Sequence, residues 1–516
     1  MTAEPLSAAA DAAADESPDT ARPDTARPDT ASPDPAPEKS PGTARRFSWA
    51  ALRPLVLRLH FYAGVLIAPF LLIAAVSGLL YAGSFQAEKI VYDHELRVPV
   101  GDTELPLSRQ VAAAREAHPE GEISAVRPSP EDGATTRVLL SGVTGVDSGH
   151  TLAVFVDPYT GKVRGALEQY GSSGALPLRT WIDELHRDLH LGETGRLYSE
   201  LAASWLWVIT GAGLVLWLAH RRRGTRRGVR AVAVPDRSAT GRRRTLSFHG
   251  SVGVWVALGL FFLSATGLTW STYAGTSVGD LRSALGQTTP AVSATLDGDR
   301  TGGGGEHAGH GAGPGSTPGM DHGGSGGGGA HTADVGLDAV RKAARAKGLD
   351  NPVEIVPPAG PDQAYVVSQI QRSWPEKQDA AAVDPATGEV TDVQRFADYP
   401  VLAKLTRWGI DLHTGNLFGL VNQIALAVLA LALILLIVWG YRMWWQRGRG
   451  SAFGRPVPRG AWREVSPYVL LPSAAAVALL GYYLPLLGIP LAAFLVFDIV
   501  LGRIAHRRRD RASAGG

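Results

Sequence analysis

Apolar residues along this 516-residue chain gather into long runs separated by polar stretches of a different texture. Residues 52–84, 200–219, 249–275 and 416–445 each reach the roughly 17–25 apolar residues that a bilayer-spanning helix needs. A fifth apolar region, 466–503, contains Pro485 and Pro490 with Leu486-Leu487-Gly488-Ile489 between them. It reads as a tight helical hairpin, giving six crossings, with one long kinked helix as the alternative. Between the runs, Thr151 to Val156 and Asp379 to Val383 are β-rich, whereas Leu107 to Ala117 and Leu337 to Ala346 carry a helical pattern. Val156-Asp157-Pro158-Tyr159-Thr160-Gly161 and Val383-Asp384-Pro385-Ala386-Thr387-Gly388 then read as hairpin turns, each glycine supplying positive φ. Residues 104–170 and 333–396 are thus expected to be small α+β modules, each with one helix and a short antiparallel sheet.

The pattern is written twice. His60, Gly64 and Gly78 recur as His249, Gly253 and Gly267, a step of 189 residues. The turn motif recurs at a step of 227, and the same step carries Trp181 to Trp408, His186 to His413 and Gly192 to Gly419. The difference between the two steps falls at a Gly/His-rich insertion, 298–332, which has too few apolar residues to build a core. An internal duplication is the expected architecture: a polytopic α-helical membrane protein with four core transmembrane helices, a C-terminal helical hairpin and two α+β modules.

Charge orients this arrangement. The net charge is only +2, yet arginines crowd the flanks of the runs: Arg45, Arg46, Arg53 and Arg58, then ten in the loop 220–248, and further clusters at 442–463 and 503–511. Positive residues stay on the cytoplasmic side, so both termini are expected there and both modules outside the cytoplasmic membrane. Each arginine run abuts a span, which argues against nucleic acid as the partner. Residues 1–48, rich in Pro, Asp, Ala and Thr, read as a disordered cytoplasmic tail without a cleavable signal.

Candidate chemistry rests on histidine. The chain has no cysteine, which excludes disulfides, thiolate metal sites and covalently attached haem. In a helix, positions +4 and +18 fall on nearly the same face as the histidine. Gly64 and Gly78, like Gly253 and Gly267, therefore leave room beside His60 and His249 for a flat ligand, for which a haem is the natural candidate. His60 and His249 belong near the inner leaflet, and His186 and His413 near the outer one. Together they make two possible axial pairs for two b-type haems. His190, one turn after His186, is a backup ligand. The bland alternative is that the histidines meet headgroups and the glycines pack helices. His307, His310, His322 and His331 of the insertion are candidates for weak capture of a transition metal.

Helix, V-D-P-x-T-G module, L-H-R-D-L-H-L-G entry to a second helix and repetition of the whole resemble the PepSY-associated transmembrane family over roughly residues 50–450. That resemblance implies PepSY-like modules and a role in handling iron or another metal, since members include iron-regulated inner-membrane proteins and haem-containing ferrisiderophore reductases. The chain carries no nucleotide-binding loop and no cytoplasmic domain able to hold a flavin. A reductase of this form must draw electrons from a membrane quinol or a protein donor and pass them to a metal complex such as a ferric siderophore. The competing expectation is a non-catalytic membrane protein for iron or copper uptake, binding or regulation. A secondary transporter is a third class, disfavoured because both halves start on the same side and no broken polar helix interrupts the first four spans.

Overall fold

The computed structural model describes residues 49–222, 229–296, 334–446 and 467–514. The tail 1–48, the insertion with His307, His310, His322 and His331, and part of the arginine-rich loops lie outside the described residues. In chain order the elements are α1 (Trp49–Val91), α2 (Asp93–Leu96), α3 (Leu107–Ala117), β1 (Glu122–Arg127), β2 (Thr136–Ser141), β3 (His150–Val156), β4 (Val163–Tyr170), α4 (Pro177–Asp188), α5 (Gly192–Arg222), α6 (Val229–Ala233), α7 (Gly241–Leu268), α8 (Tyr273–Ala284), α9 (Gly336–Ala346), β5 (Val353–Val356), β6 (Tyr365–Gln369), β7 (Ala380–Val383), β8 (Val390–Gln394), α10 (Val401–Thr414), α11 (Gly419–Trp445), α12 (Pro467–Tyr483) and α13 (Pro485–Ala514).

Among the described residues, five helical segments are long and apolar enough to cross a bilayer: Leu52–Val91, Gly192–Arg221, Gly241–Leu268, Gly419–Trp445 and Pro485–Ile504. A shorter apolar segment, Leu471–Tyr483, precedes the last. The chain is a multi-pass membrane protein. Helices outrun the apolar stretches that predict them, because a helix ends where its backbone partners end and not where hydrophobicity does. Thus α1 continues past residue 84 to Val91, where buried Glu88 pairs with Arg179 at 3.0 Å and accepts the Leu176 N–H. The C-terminal apolar region divides at Leu484, and Pro490 lies inside α13 and not in the turn. Close approach of Gly481 and Gly488 lets the two arms meet, since a Cβ on Gly488 would collide with the Gly481 backbone. Buried Arg58 of α1 donates to Asp498 of α13 at 2.7 Å, tying the last helix to the first.

The two polar regions do not form separate sheets, as expected from sequence. Their strands make one eight-stranded antiparallel sheet in the order β4-β3-β2-β1-β5-β6-β7-β8. The join is β1 against β5, where Val126 faces Ile355 and Arg127 bonds Glu354 at 2.6 Å. Pairing these strands leaves neither with an exposed edge. Alternation sends Val126, Val138, Val154 and Val367 to one face, under Val111 of α3 and Val340 of α9. Ala125, Leu139, Ala153 and Phe155 face the other way and meet Tyr92, Leu96 and Leu176 at the membrane stem. The predicted turns form as read: Asp157 Oδ1 accepts the Tyr159 N–H and Asp384 Oδ1 that of Ala386, with Gly161 at φ 74° and Gly388 at φ 71°.

The halves also share a helix cap. Pro106 precedes α3 and has no side chain with which to cap it, so the amides of Leu107 and Ser108 donate to Asp338 of α9, at 2.6 and 3.2 Å. A carboxylate at a helix N-terminus satisfies orphan amides and opposes the dipole. Asp338→Ala is expected to cost the sheet unit about 1–2 kcal/mol, read as a lowered unfolding midpoint in denaturant. An unchanged midpoint would mean that the cap contributes nothing.

Candidate functional site

Four imidazoles project into the helical bundle, and each has one ring nitrogen occupied. Nδ1 of His60 on α1 lies 3.0 Å from the Ile209 carbonyl of α5, and Nδ1 of His249 on α7 lies 3.1 Å from the Leu436 carbonyl of α11. A carbonyl only accepts, so both Nδ1 atoms carry a proton, and in the neutral ring Nε2 then carries the lone pair. Toward the sheet, Nδ1 of His186 on α4 lies 2.9 Å from Ser77 Oγ, and Nδ1 of His413 on α10 lies 2.6 Å from Thr266 Oγ1. Both hydroxyls spend their hydrogen on their own helix, Ser77 on the Ile73 carbonyl at 2.8 Å and Thr266 on that of Phe262 at 2.7 Å. With the hydrogens so placed, each hydroxyl oxygen accepts from its imidazole. All four rings are fixed as the same tautomer, with Nε2 free to donate an electron pair.

The rings fall into two levels. Seventeen residues separate His60 from Ser77 on α1, and seventeen separate His249 from Thr266 on α7, about 25 Å of helix at ~1.5 Å per residue. At the level far from the sheet, the His60 and His249 rings have centroids 6.4 Å apart and planes at 73°. First-row metals bind imidazole nitrogen at ~2.0 Å, so two rings sharing one metal sit with centroids roughly 6–7 Å apart. At the sheet-side level, burial pushes His186 below its ordinary value. Burial, followed by the charge of His186, takes His413 down to about 3. Both rings of that pair are neutral at physiological pH, the form that ligates metal.

Glycines make room for these rings. A Cβ at Gly213 would stand 2.8 Å from His60 Cε1, and one at Gly78 would stand 3.2 Å from His186 Cε1. Gly267 opens toward His413 Cε1 at 3.9 Å and Gly253 toward Leu436 at 3.8 Å, while nothing lies within 4 Å of the Gly64 position. Gly78, expected to admit a macrocycle, thus admits first the imidazole of its own level. His190 corrects a second expectation. Because α4 ends at Asp188, and Leu189 and His190 both take positive φ (56° and 55°), His190 leaves the helical face of His186. It lies beside Glu184 and the Trp181 ring and is no alternative to His186 as a bundle ligand.

Above the sheet-side pair lies a buried ionic network. Arg372 donates to Asp411 at 3.1 Å and to Ser172 at 2.6 Å, and Arg407 donates to Glu376 at 2.8 Å. The Asp411 backbone carbonyl accepts the amides of Asn416 and Leu417, which turns the chain from α10 into α11. Burial, and then the charge of Asp411, raise Glu376 to about 7 against an ordinary 4.5.

The model of the PepSY-associated TM region matches residues 57–447, most of the chain. The chain belongs to the PepSY-associated TM family. No curated protein matches it. Within this family member, sequence reasoning found the four histidines but missed Ser77, Thr266, Gly213 and the two carbonyls. A signal existed, since Ser77 to Thr266 is again a step of 189, and Ile209 to Leu436 again one of 227.

The folded Glu376 holds a proton between pH 4.5 and about 7 that the unfolded chain has released, so it favours unfolding as pH rises through that window. His186 and His413, depressed in the folded state, act in the opposite sense. Glu376→Gln is therefore expected to make thermal stability rise more steeply with pH between 5 and 7 than in the parent. Parallel profiles for the two proteins would refute the assignment.

Proposed function

We propose that this protein is a cytoplasmic-membrane electron-transfer protein, in which His60 and His249 would hold the inner and His186 and His413 the outer of two b-type haems. The observation that carries the reading is the common tautomer. Metal-bound histidine characteristically donates its other ring N–H to a backbone carbonyl or similar acceptor, and four rings on four helices do so here. A histidine merely meeting headgroups has no need of such a partner. The donor set also suits the group: neutral nitrogen ligands without thiolate, in apolar surroundings, with open space at Gly64. A haem would supply one-electron redox chemistry.

The remaining parts of the proposal follow from placement. The recurrence of hydrogen-bond partners at the two sequence steps supports an internal duplication, with two PepSY-like modules that share one sheet. The arginine clusters at the other ends of the spans support an orientation with that sheet outside the cytoplasm. The partners of such a protein would be a quinol or protein donor at the inner level and, near the sheet, a metal complex such as a ferric siderophore. The chain's own residues hold the four rings neutral and oriented, exclude water from them and set two stations across the bilayer.

A reduced-minus-oxidised visible spectrum of the detergent-purified protein should show b-type bands, and their absence sinks the proposal in favour of a non-catalytic metal-uptake or regulatory protein. His60→Ala and His413→Ala should each remove about half of the haem. Retention of all the haem by both variants would contradict the ligand assignment. Gly213→Val should mimic His60→Ala, because its side chain displaces the His60 ring, and should leave the outer pair loaded.

A further inference from the structure

The module formed by β1 to β4 carries a second constellation that the histidine pairs do not use. Where the β2–β3 loop meets the end of β4, one donor atom from each of Asp147, His150 and Glu168 lies within 4.8 Å of the others. Sheet register brings them together. His150 faces Tyr170 across β3 and β4, and Glu168 is its diagonal neighbour on the same side of the sheet. The Tyr170 ring packs edge-on against His150 at 4.9 Å. The His150 side chain is left only 9% exposed, with Nδ1 3.4 Å from Glu168 and Nε2 3.9 Å from Glu184 of α4. Glu184 reaches His190 Nδ1 at 3.3 Å with its other oxygen. Trp181 covers His190 at 5.0 Å, and the positive φ of Leu189 and His190 holds that ring out of the helix.

Charge makes this more than a chance meeting. Among the described residues, Glu168 and Glu184 have imidazoles as their ionic partners and no lysine or arginine. Three carboxylates thus gather about one nearly buried imidazole, a donor set that a divalent cation would join. Elsewhere in the sheet unit, buried carboxylates such as Glu88, Asp411 and Glu376 are met by arginine. The other half of the sheet does not repeat the set: at a step of 227, Asp147, His150 and Glu168 correspond to Trp374, Lys377 and Arg395.

We propose that Asp147, His150 and Glu168, with Glu184 beside them, bind a divalent first-row metal ion where the sheet meets α4. Bonds of ~2.0–2.2 Å place the ligands of one ion up to roughly 4.4 Å apart, so the donors need close by only a few tenths of an ångström. Mixed imidazole and carboxylate donors suit Zn2+, Fe2+ or Mn2+ and disfavour the soft monovalent ions that thiolates select. Its three principal donors come from the β2–β3 loop, β3 and β4, none of them from the four-histidine set, so the site stands whether or not the bundle holds haem.

The test is a calorimetric Zn2+ titration of the full chain in detergent. The parent should bind one Zn2+ more per chain than His150→Ala and one more than Glu168→Gln. Glu168→Gln preserves side-chain shape and guards against misfolding. Replacing His307, His310, His322 and His331 together by alanine should leave this ion in place. Equal stoichiometry in the parent and either site variant overturns the proposal, as does loss of the ion in the quadruple variant. The visible spectrum, recorded on the same samples, should be the same in all four proteins. Failure of the haem reading would therefore appear separately from failure of this one.

Discussion

The Nδ1–H bond of each buried imidazole is the interaction on which the rest of the arrangement depends. Within a bilayer a polar side chain has no water to turn to, and it remains only where the protein supplies a partner. Backbone carbonyls inside a helix are normally committed to their own helix, yet Ile209 and Leu436 each also accept from a histidine of another helix. The hydroxyls of Ser77 and Thr266 do the corresponding work at the other level. Each bond orients a ring, chooses its tautomer and fixes the approach of two helices. Glycine then becomes a requirement at Gly213 and Gly78, where any side chain would press on the ring.

The sheet unit relates to the bundle through charge. Its apolar faces are closed by α3 and α9 on one side and by the stem residues Tyr92, Leu96 and Leu176 on the other. What remains between sheet and bundle is a layer of buried ion pairs: Arg179 with Glu88, Arg372 with Asp411 and Arg407 with Glu376. Such pairs contribute little net stability, but removing one partner is costly, because it strands the other charge. They hold α4 and α10, and hence His186 and His413, at a fixed depth.

Much of this was legible in the sequence because bilayers and turns impose strong local rules. The spans follow from run length, the turns from D-P-x-T-G, and the four histidines from two repeated steps. The single sheet was not legible, since the β1 to β5 join is a contact between segments more than 200 residues apart and has no local signature. His190 was misplaced because helical periodicity says nothing about where the helix stops, and Leu189 carries no warning of positive φ. The Asp147, His150 and Glu168 set was hidden for a related reason. Glu168 joins Asp147 and His150 only through strand register.

The central claim is that two neutral imidazoles meet at each of two levels in the membrane and serve as paired ligands. Low-temperature electron paramagnetic resonance of the oxidised, detergent-purified protein tests it directly. The account predicts two low-spin ferric signals characteristic of bis-imidazole ligation, one lost in His249→Ala and the other in His186→Ala. Absence of any low-spin ferric signal, or one that survives both replacements together, would contradict it.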